Sequence, residues 1–429
     1  MQHFRDPSDA APLDWTCKGI PEHLLGRTSS EIGALDLPLF DAGVLFPMAV
    51  LREDILQANS RWMMQFLGMF NAQLAPHGKT TMSPDLMALQ LRDGAWGLTA
   101  ATVHHVRAYR RWGARRILMA NQLVGDSEIE WIAAELARDA SFEFFCLVDS
   151  VALVEHLAER LARHSLRRPV NVLLEMGTSG GRTGVRTIEQ GVQVAVAVAS
   201  KPQLALCGVE TFEGLFLAEP DAEQRAEQML LATLDLTTRC EQLGLFNTPT
   251  VLLSGGGSSM FDLAARLLSR HALSRPAQVI VRSGCYIAHD DGMYRSLFER
   301  FRQRMPVPDE LAGGLRPALQ VWARVQSKPE PGLMICGLGK RDVGNDIAPP
   351  TLLGWLPQGS TRMRAIETQC TVRGLNDQHA HIVGECGQFA VGDLVAFGVS
   401  HPCTTFDKWR ALLTIDEHLH ITGLIRTYF

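Results

Sequence analysis

The chain has 429 residues, of which 46% are apolar and 20% charged, a balance that makes it long enough for two domains or for one large barrel with an appendage. Its formal charge of -5 leaves no basic footprint for nucleic acid. The start M-Q-H-F-R-D-P-S-D lacks the basic-then-apolar pattern of a signal peptide, and the most apolar helical stretch, G-V-Q-V-A-V-A-V-A-S, is too short to span a bilayer. The nine scattered cysteines form no C-x-x-C pair, which fits reduced thiols and a cytoplasmic location.

In chain order, the apolar run 45–51 is expected to lead the chain into an amphipathic helix over about 52–70. Eight short apolar runs follow, at 73–79, 97–103, 116–122, 143–149, 171–177, 206–212, 250–256 and 278–284. Helix-start signals separate them, among them Ser83-Pro84, Asp126 and Glu219-Pro220-Asp221. This alternation predicts an α/β fold, a (β/α)8 barrel of the TIM type, over 45–295. An open doubly wound sheet is the rival, but its glycine-rich dinucleotide turn is missing from the first strand–helix junction. After a short helix, S-L-F-E-R-F-R, the texture shifts to period-two runs broken by Gly, Pro, Asn and Asp. A mostly antiparallel β domain is therefore expected from 296–429, together with 1–44.

The active end of such a barrel lies at the carboxyl ends of its strands. The first run ends P-H-G-K-T, placing Lys79 at the barrel mouth, where a partly desolvated amine can act as a Schiff-base nucleophile; a solvated surface lysine is the alternative. His77, two residues earlier, could stack on a cofactor ring or simply pack. The seventh run ends S-G-G-G-S-S before a helix, so Ser254, Gly255, Gly256, Gly257 and Ser258 make a candidate phosphate cradle. G-T-S-G-G-R-T-G-V, following the run 171–177, brings Arg182 to the same rim, where its guanidinium suits a phenolate or a carboxylate. R-S-G-C-Y after the last run sets Tyr286 beside the cradle. Lysine, arginine and phosphate cradle together describe a pyridoxal phosphate site. Near the end, His401 and Cys403 stand two apart in V-S-H-P-C-T-T-F-D-K-W, a spacing that in a strand points both side chains to one face. They read as metal ligands or as a packed couple. The pairs His104-His105 and His379/His381 have usable spacings too, but read more simply as solvated or packed histidines.

These motifs, in this order, resemble the fold-type III pyridoxal phosphate enzymes, and more narrowly the D-serine dehydratase and D-threonine aldolase group. The resemblance spans roughly residues 45–415. It implies an alanine racemase-like barrel with a β domain, a homodimer, and a small D-amino acid substrate, with no nucleic acid or membrane partner. Lys79 falls on the family's Schiff-base lysine, Gly255–Ser258 on its phosphate loop, Tyr286 on its R-x-G-x-Y element, and Arg182 on an arginine near the cofactor ring. His401 and Cys403 fall on a zinc-binding H-x-C pair; the soft cysteine favours zinc over manganese. Departures are Ala75 where the family has arginine, Thr81 where it often has histidine, and Cys386 in place of the histidine of E-H-G. The implied reaction is β-elimination from a D-3-hydroxyamino acid, with zinc assisting departure of hydroxide. Retro-aldol cleavage is the alternative; racemisation and a non-catalytic cofactor carrier rank lower.

Overall fold

The computed structural model describes residues 12–217 and 219–429; the amino-terminal segment read above for a signal peptide lies outside them. The chain divides into two compact units. One takes in Met63–Lys79 and Gln90–Gly284; the other takes in the described segment ending at Trp62, together with Thr80–Leu89 and Cys285–Phe429.

The run at 45–51 forms β1 (Met48–Arg52), which leads, as expected, straight into the helix Glu53–Gly68. It belongs to the second unit's sheet. The eight later runs are β2 (Ala72–Leu74), β3 (Leu98–Ala100), β4 (Arg116–Gln122), β5 (Glu143–Val148), β6 (Val170–Met176), β7 (Leu204–Thr211), β8 (Val251–Gly255) and β9 (Ala277–Val281). They make one all-parallel sheet in the order β2-β9-β8-β7-β6-β5-β4-β3. Such strands are covered on both faces, which is why they read as continuous apolar runs and not as alternation. β7 is buried along its whole length. The ring's inner cluster includes Ala75, Leu118, Leu147, Leu173, Ala205, Leu252 and Ile280. Between β2 and β3 the seam is a single bridge, His77 to Thr99, helped by the amides of Trp96 and Thr99 donating to the carbonyls of Leu74 and Pro76.

Helices begin where hydroxyl side chains can satisfy the unpaired first-turn amides. Thr102, Ser150 and Thr187 accept from the amides of His105, Leu153 and Gln190. Helices also start at or just past the signals read from sequence, at Pro84, at Asp126 and, after Glu219-Pro220-Asp221, at Ala222. Among the described residues none is long and apolar enough to cross a membrane.

The second unit carries β10 (Leu319–Glu330), β11 (Leu333–Cys336), β12 (Thr351–Leu356), β13 (Cys370–Leu375), β14 (Ala380–Gly384), β15 (Leu394–Gly398), β16 (Ala411–Ile415) and β17 (Ile421–Arg426). Its sheet runs β13-β14-β11-β10-β1-β16-β17, with β15 pairing to β10 and β12 to β15. Every pairing is antiparallel except β1 with β16. The architecture is thus a parallel eight-stranded curled barrel sheet and a mixed, mostly antiparallel second sheet.

Candidate functional site

In the first unit the expected residues gather at the carboxyl ends of the strands. Lys79 lies in a one-turn 3-10 helix, Gly78–Thr80, just past β2, and is exposed, so the folded chain alone does not supply the partial desolvation expected there. His77 is half-buried, with its Nδ1 shut off from solvent and without a hydrogen-bond partner. Burial, reinforced by the charges of Lys79 and Arg282, holds its imidazole well below its ordinary value of 6.5, so the ring is neutral near pH 7.

The loop after β8 turns through Gly256 at φ 80°, where a side chain would be strained. A Cβ on Gly257 would come within 2.9 Å of the Phe212 ring. Two of the loop's amides are already engaged: Gly256 and Gly257 donate to the Glu213 carboxylate at 3.0 and 2.8 Å. Burial raises the Glu213 carboxyl, and those amide bonds pull partly against it. The Ser258 hydroxyl accepts from the Gly284 amide and the Ser283 hydroxyl, both at 3.2 Å. Ser254 points elsewhere, its hydroxyl donating to the Ile280 carbonyl within the sheet. The helix Phe261–Leu268 follows directly, with no side-chain cap from Met260.

Arg182 is exposed, its guanidinium 4.6 Å from the centroid of Phe212, the ring that lines the glycine loop. Its segment is tied to the barrel by Thr183 donating to Glu175 (2.8 Å) and the Gly184 amide donating to Asp149 (3.1 Å). Arg186 braces it from behind, donating to the carbonyls of Arg182, Thr183 and Gly184.

Sequence reading missed the buried charges between these parts. Arg282 Nη1 lies 2.5 Å from Glu210 Oε2, and Arg282 Nη2 donates to the Thr211 carbonyl at 2.7 Å. Burial pushes the Glu210 carboxyl up to about 7, with Arg282 opposing. A signal was present: a glutamate and an arginine each interrupt an apolar run, which is costly unless they meet.

In the second unit the stretch 399–409 is not a strand. β15 ends at Gly398, Pro402 is helical, and Cys403–Phe406 is one helical turn. The one-faced geometry expected of His401 and Cys403 is therefore not what the chain adopts, because successive helical residues turn about a third of a circle apart. His401 Nδ1 lies 2.6 Å from Asp346 Oδ2, and Asp346 also accepts from Thr404 at 2.7 Å. Burial works to raise the Asp346 carboxyl, but these hydrogen bonds outweigh it and hold it low. Cys403 Sγ meets Cys285 Sγ at 3.2 Å and the Thr80 hydroxyl at 3.6 Å. Among the described residues no three of His, Cys, Asp and Glu already converge on one point as a metal cage would. Tyr286, in the turn Cys285–Ile287, is buried. Cys386 is buried, 3.8 Å from Cys370 Sγ. None of the nine cysteines is in a disulfide. His105 accepts from the Ala101 amide and His381 bonds Asn376, as packed histidines do.

For a pyridoxal phosphate the first unit's parts fit. An exposed amine, a glycine cradle that a Cβ would obstruct and a buried ring nitrogen without a hydrogen-bond partner share one end of the barrel. For a metal, a carboxylate behind His401 would orient the imidazole and leave Nε2 free to face an ion.

Comparison with known proteins agrees. The alanine racemase N-terminal domain model matches residues 51–269, more than half of the chain, and a putative serine dehydratase domain model matches 318–415. A D-threonine aldolase from Arthrobacter sp is 24% identical over 377 residues, covering 86% of this chain and 89% of that protein. Among solved structures, a D-threonine aldolase from Filomicrobium marinum aligns with TM-score 0.72 at 20% identity, over 91% of this chain and 97% of that one. A D-threo-3-hydroxyaspartate dehydratase from Delftia sp. HT23 aligns with TM-score 0.67 at 19% identity, over 90% and 97%. With its eight-stranded parallel barrel and the lysine turn at its mouth, the chain belongs to the alanine racemase N-terminal domain family, among the fold-type III pyridoxal phosphate enzymes.

Proposed function

We propose that the protein is a pyridoxal phosphate-dependent lyase of D-3-hydroxyamino acids, converting them by β-elimination to a keto acid and ammonia with a zinc ion at His401 and Cys403. The observation that carries this reading is His401 anchored by Asp346 within the segment that matches the serine dehydratase domain.

When bound, the cofactor supplies an electron sink for the substrate's α-carbon and the metal a Lewis acid for the departing hydroxide. The rest falls to the chain. Lys79 Nζ would hold the cofactor's aldehyde and, as a free amine, would be the base for the substrate's α-proton. Neutral His77 offers a ring face without adding charge beside that amine. The loop Gly255–Ser258 would cradle the phosphate, while Glu213 holds Gly256 and Gly257 in shape. Arg182 brings positive charge to the rim. Asp346 fixes the His401 ring so that Nε2 faces the ion, and Cys403 adds a soft sulfur suited to zinc.

Two measurements test this. Borohydride reduction of the cofactor-loaded enzyme followed by peptide mass spectrometry is expected to find the cofactor on Lys79. Lys79→Ala is expected to abolish that adduct and to cost at least ~10²–10⁴-fold in turnover, the range for loss of a positioned base. Product analysis with D-serine, D-threonine and D-3-hydroxyaspartate is expected to show ammonia and keto acid in equal amounts. Glycine and aldehyde without ammonia would overturn the elimination reading and establish retro-aldol cleavage, which the aldolase relative favours.

A further inference from the structure

A third sulfur bears on the metal. Cys285 is 4% exposed and stands 118 residues before Cys403 in sequence, yet their Sγ atoms are 3.2 Å apart. The Thr80 hydroxyl lies 3.7 Å from the first sulfur and 3.6 Å from the second, so the three close a small triangle. Thr80 directly follows the cofactor lysine in sequence. Two thiols can pack this way for burial alone. The metal reading, however, leaves a deficit: His401 and Cys403 are two ligands, and catalytic zinc sites ordinarily take three from the protein.

We propose that Cys285 is the third protein ligand, giving a Cys2His set with an open position for substrate; this rests on the metal reading under Proposed function. Two sulfurs on one zinc, each at ~2.3 Å and at the tetrahedral angle, stand roughly 3.8 Å apart, so the pair observed at 3.2 Å has to open by only about 0.6 Å. His401, held through Nδ1 by Asp346, would bring Nε2; the three do not converge in the folded chain alone, so the set forms only when the ion binds. Two thiolates make the site softer than His401 and Cys403 alone, turning the preference further toward zinc and away from manganese.

The test uses the full chain, stripped of metal, kept under a phosphine reductant and titrated with cadmium. The ultraviolet thiolate-to-cadmium band is expected to saturate at one ion per chain. In Cys285→Ser it falls to roughly half, as for one sulfur instead of two, and in Cys403→Ser likewise. Losing both removes it. Cys370→Ser, at the other close thiol pair, leaves it unchanged. A band unaltered by Cys285→Ser but lost in Cys403→Ser would overturn the proposal while leaving the His401–Cys403 reading intact. A band that depends on Cys370 would also overturn it. No band in the wild type would sink both. The cadmium-113 resonance of the wild-type protein reports the number of bound thiolates without any variant, so a one-thiolate shift is decisive against Cys285 even if its substitution prevents folding.

Discussion

At the scale of single residues, the most informative pair is Glu210 with Arg282. The folded chain raises the Glu210 carboxyl from 4.5 to about 7, chiefly by burial and against the pull of Arg282. The folded state therefore binds this proton more tightly than the unfolded chain across that interval. Its contribution is fully present below the ordinary value of 4.5 and is lost as pH rises through about 7. At about 1.4 kcal/mol per pKa unit the swing is at most ~3 kcal/mol. Glu210→Gln cannot ionise, so thermal melts are expected to show the wild type losing stability relative to the variant between pH 5 and 8. A difference that stays constant across that range would contradict the assignment. Sequence inspection singled out Lys79, His77 and Arg182 because each sits in a short motif, and it missed Glu210, Glu213 and the pairing of Arg282 because their meaning lies in partners 43 to 72 residues away.

At the scale of elements, β7 shows why one glycine cannot be exchanged. A Cβ at Gly208 would sit 1.9 Å from the Leu252 carbonyl oxygen on β8. Backbone cannot yield as a side-chain tip can, so Gly208→Ala must spread β7 and β8. The expected cost is about 1–3 kcal/mol, the usual range for overpacking, read as a lower denaturant midpoint with an unchanged slope. No rescue is expected from trimming Leu252, because the clash is with its main chain. The stretch around His401 teaches the opposite lesson about local pattern. Two residues apart means one face only in a strand, and Pro402, which accepts helical backbone and cannot donate to a ladder, makes a helical start there instead. The proline stood in the sequence; it was the period assumed around it that failed.

At the scale of the whole chain, the eight barrel strands were legible because each is a local signal: an apolar run bounded by a cap or a turn. The run at 45–51 carries the same signal yet serves the other sheet, pairing antiparallel with β10 and parallel with β16. Those partners lie more than 260 and 360 residues further on, and no feature of the run itself names them. Period-two texture foretold a second sheet, though not its single parallel pairing. The candidate cofactor end could be proposed from motifs alone; the acid–base environment around it needed three dimensions.

The one-bridge seam between β2 and β3 has a dynamic consequence. Hydrogen-bond ladders set how much must break before backbone amides meet solvent, and openings begin where the ladder is shortest. The amides of Trp96 and Thr99, which cross that seam, are expected to exchange with deuterium well ahead of those between β6 and β7, where seven residue pairs align. Because β2 runs straight into His77, Gly78 and Lys79, the lysine's tether is anchored to the least stable border of the ring. Its backbone is expected to breathe while the remaining strands stay closed, which would suit a lysine that, on the function proposed above, has to both grip and let go.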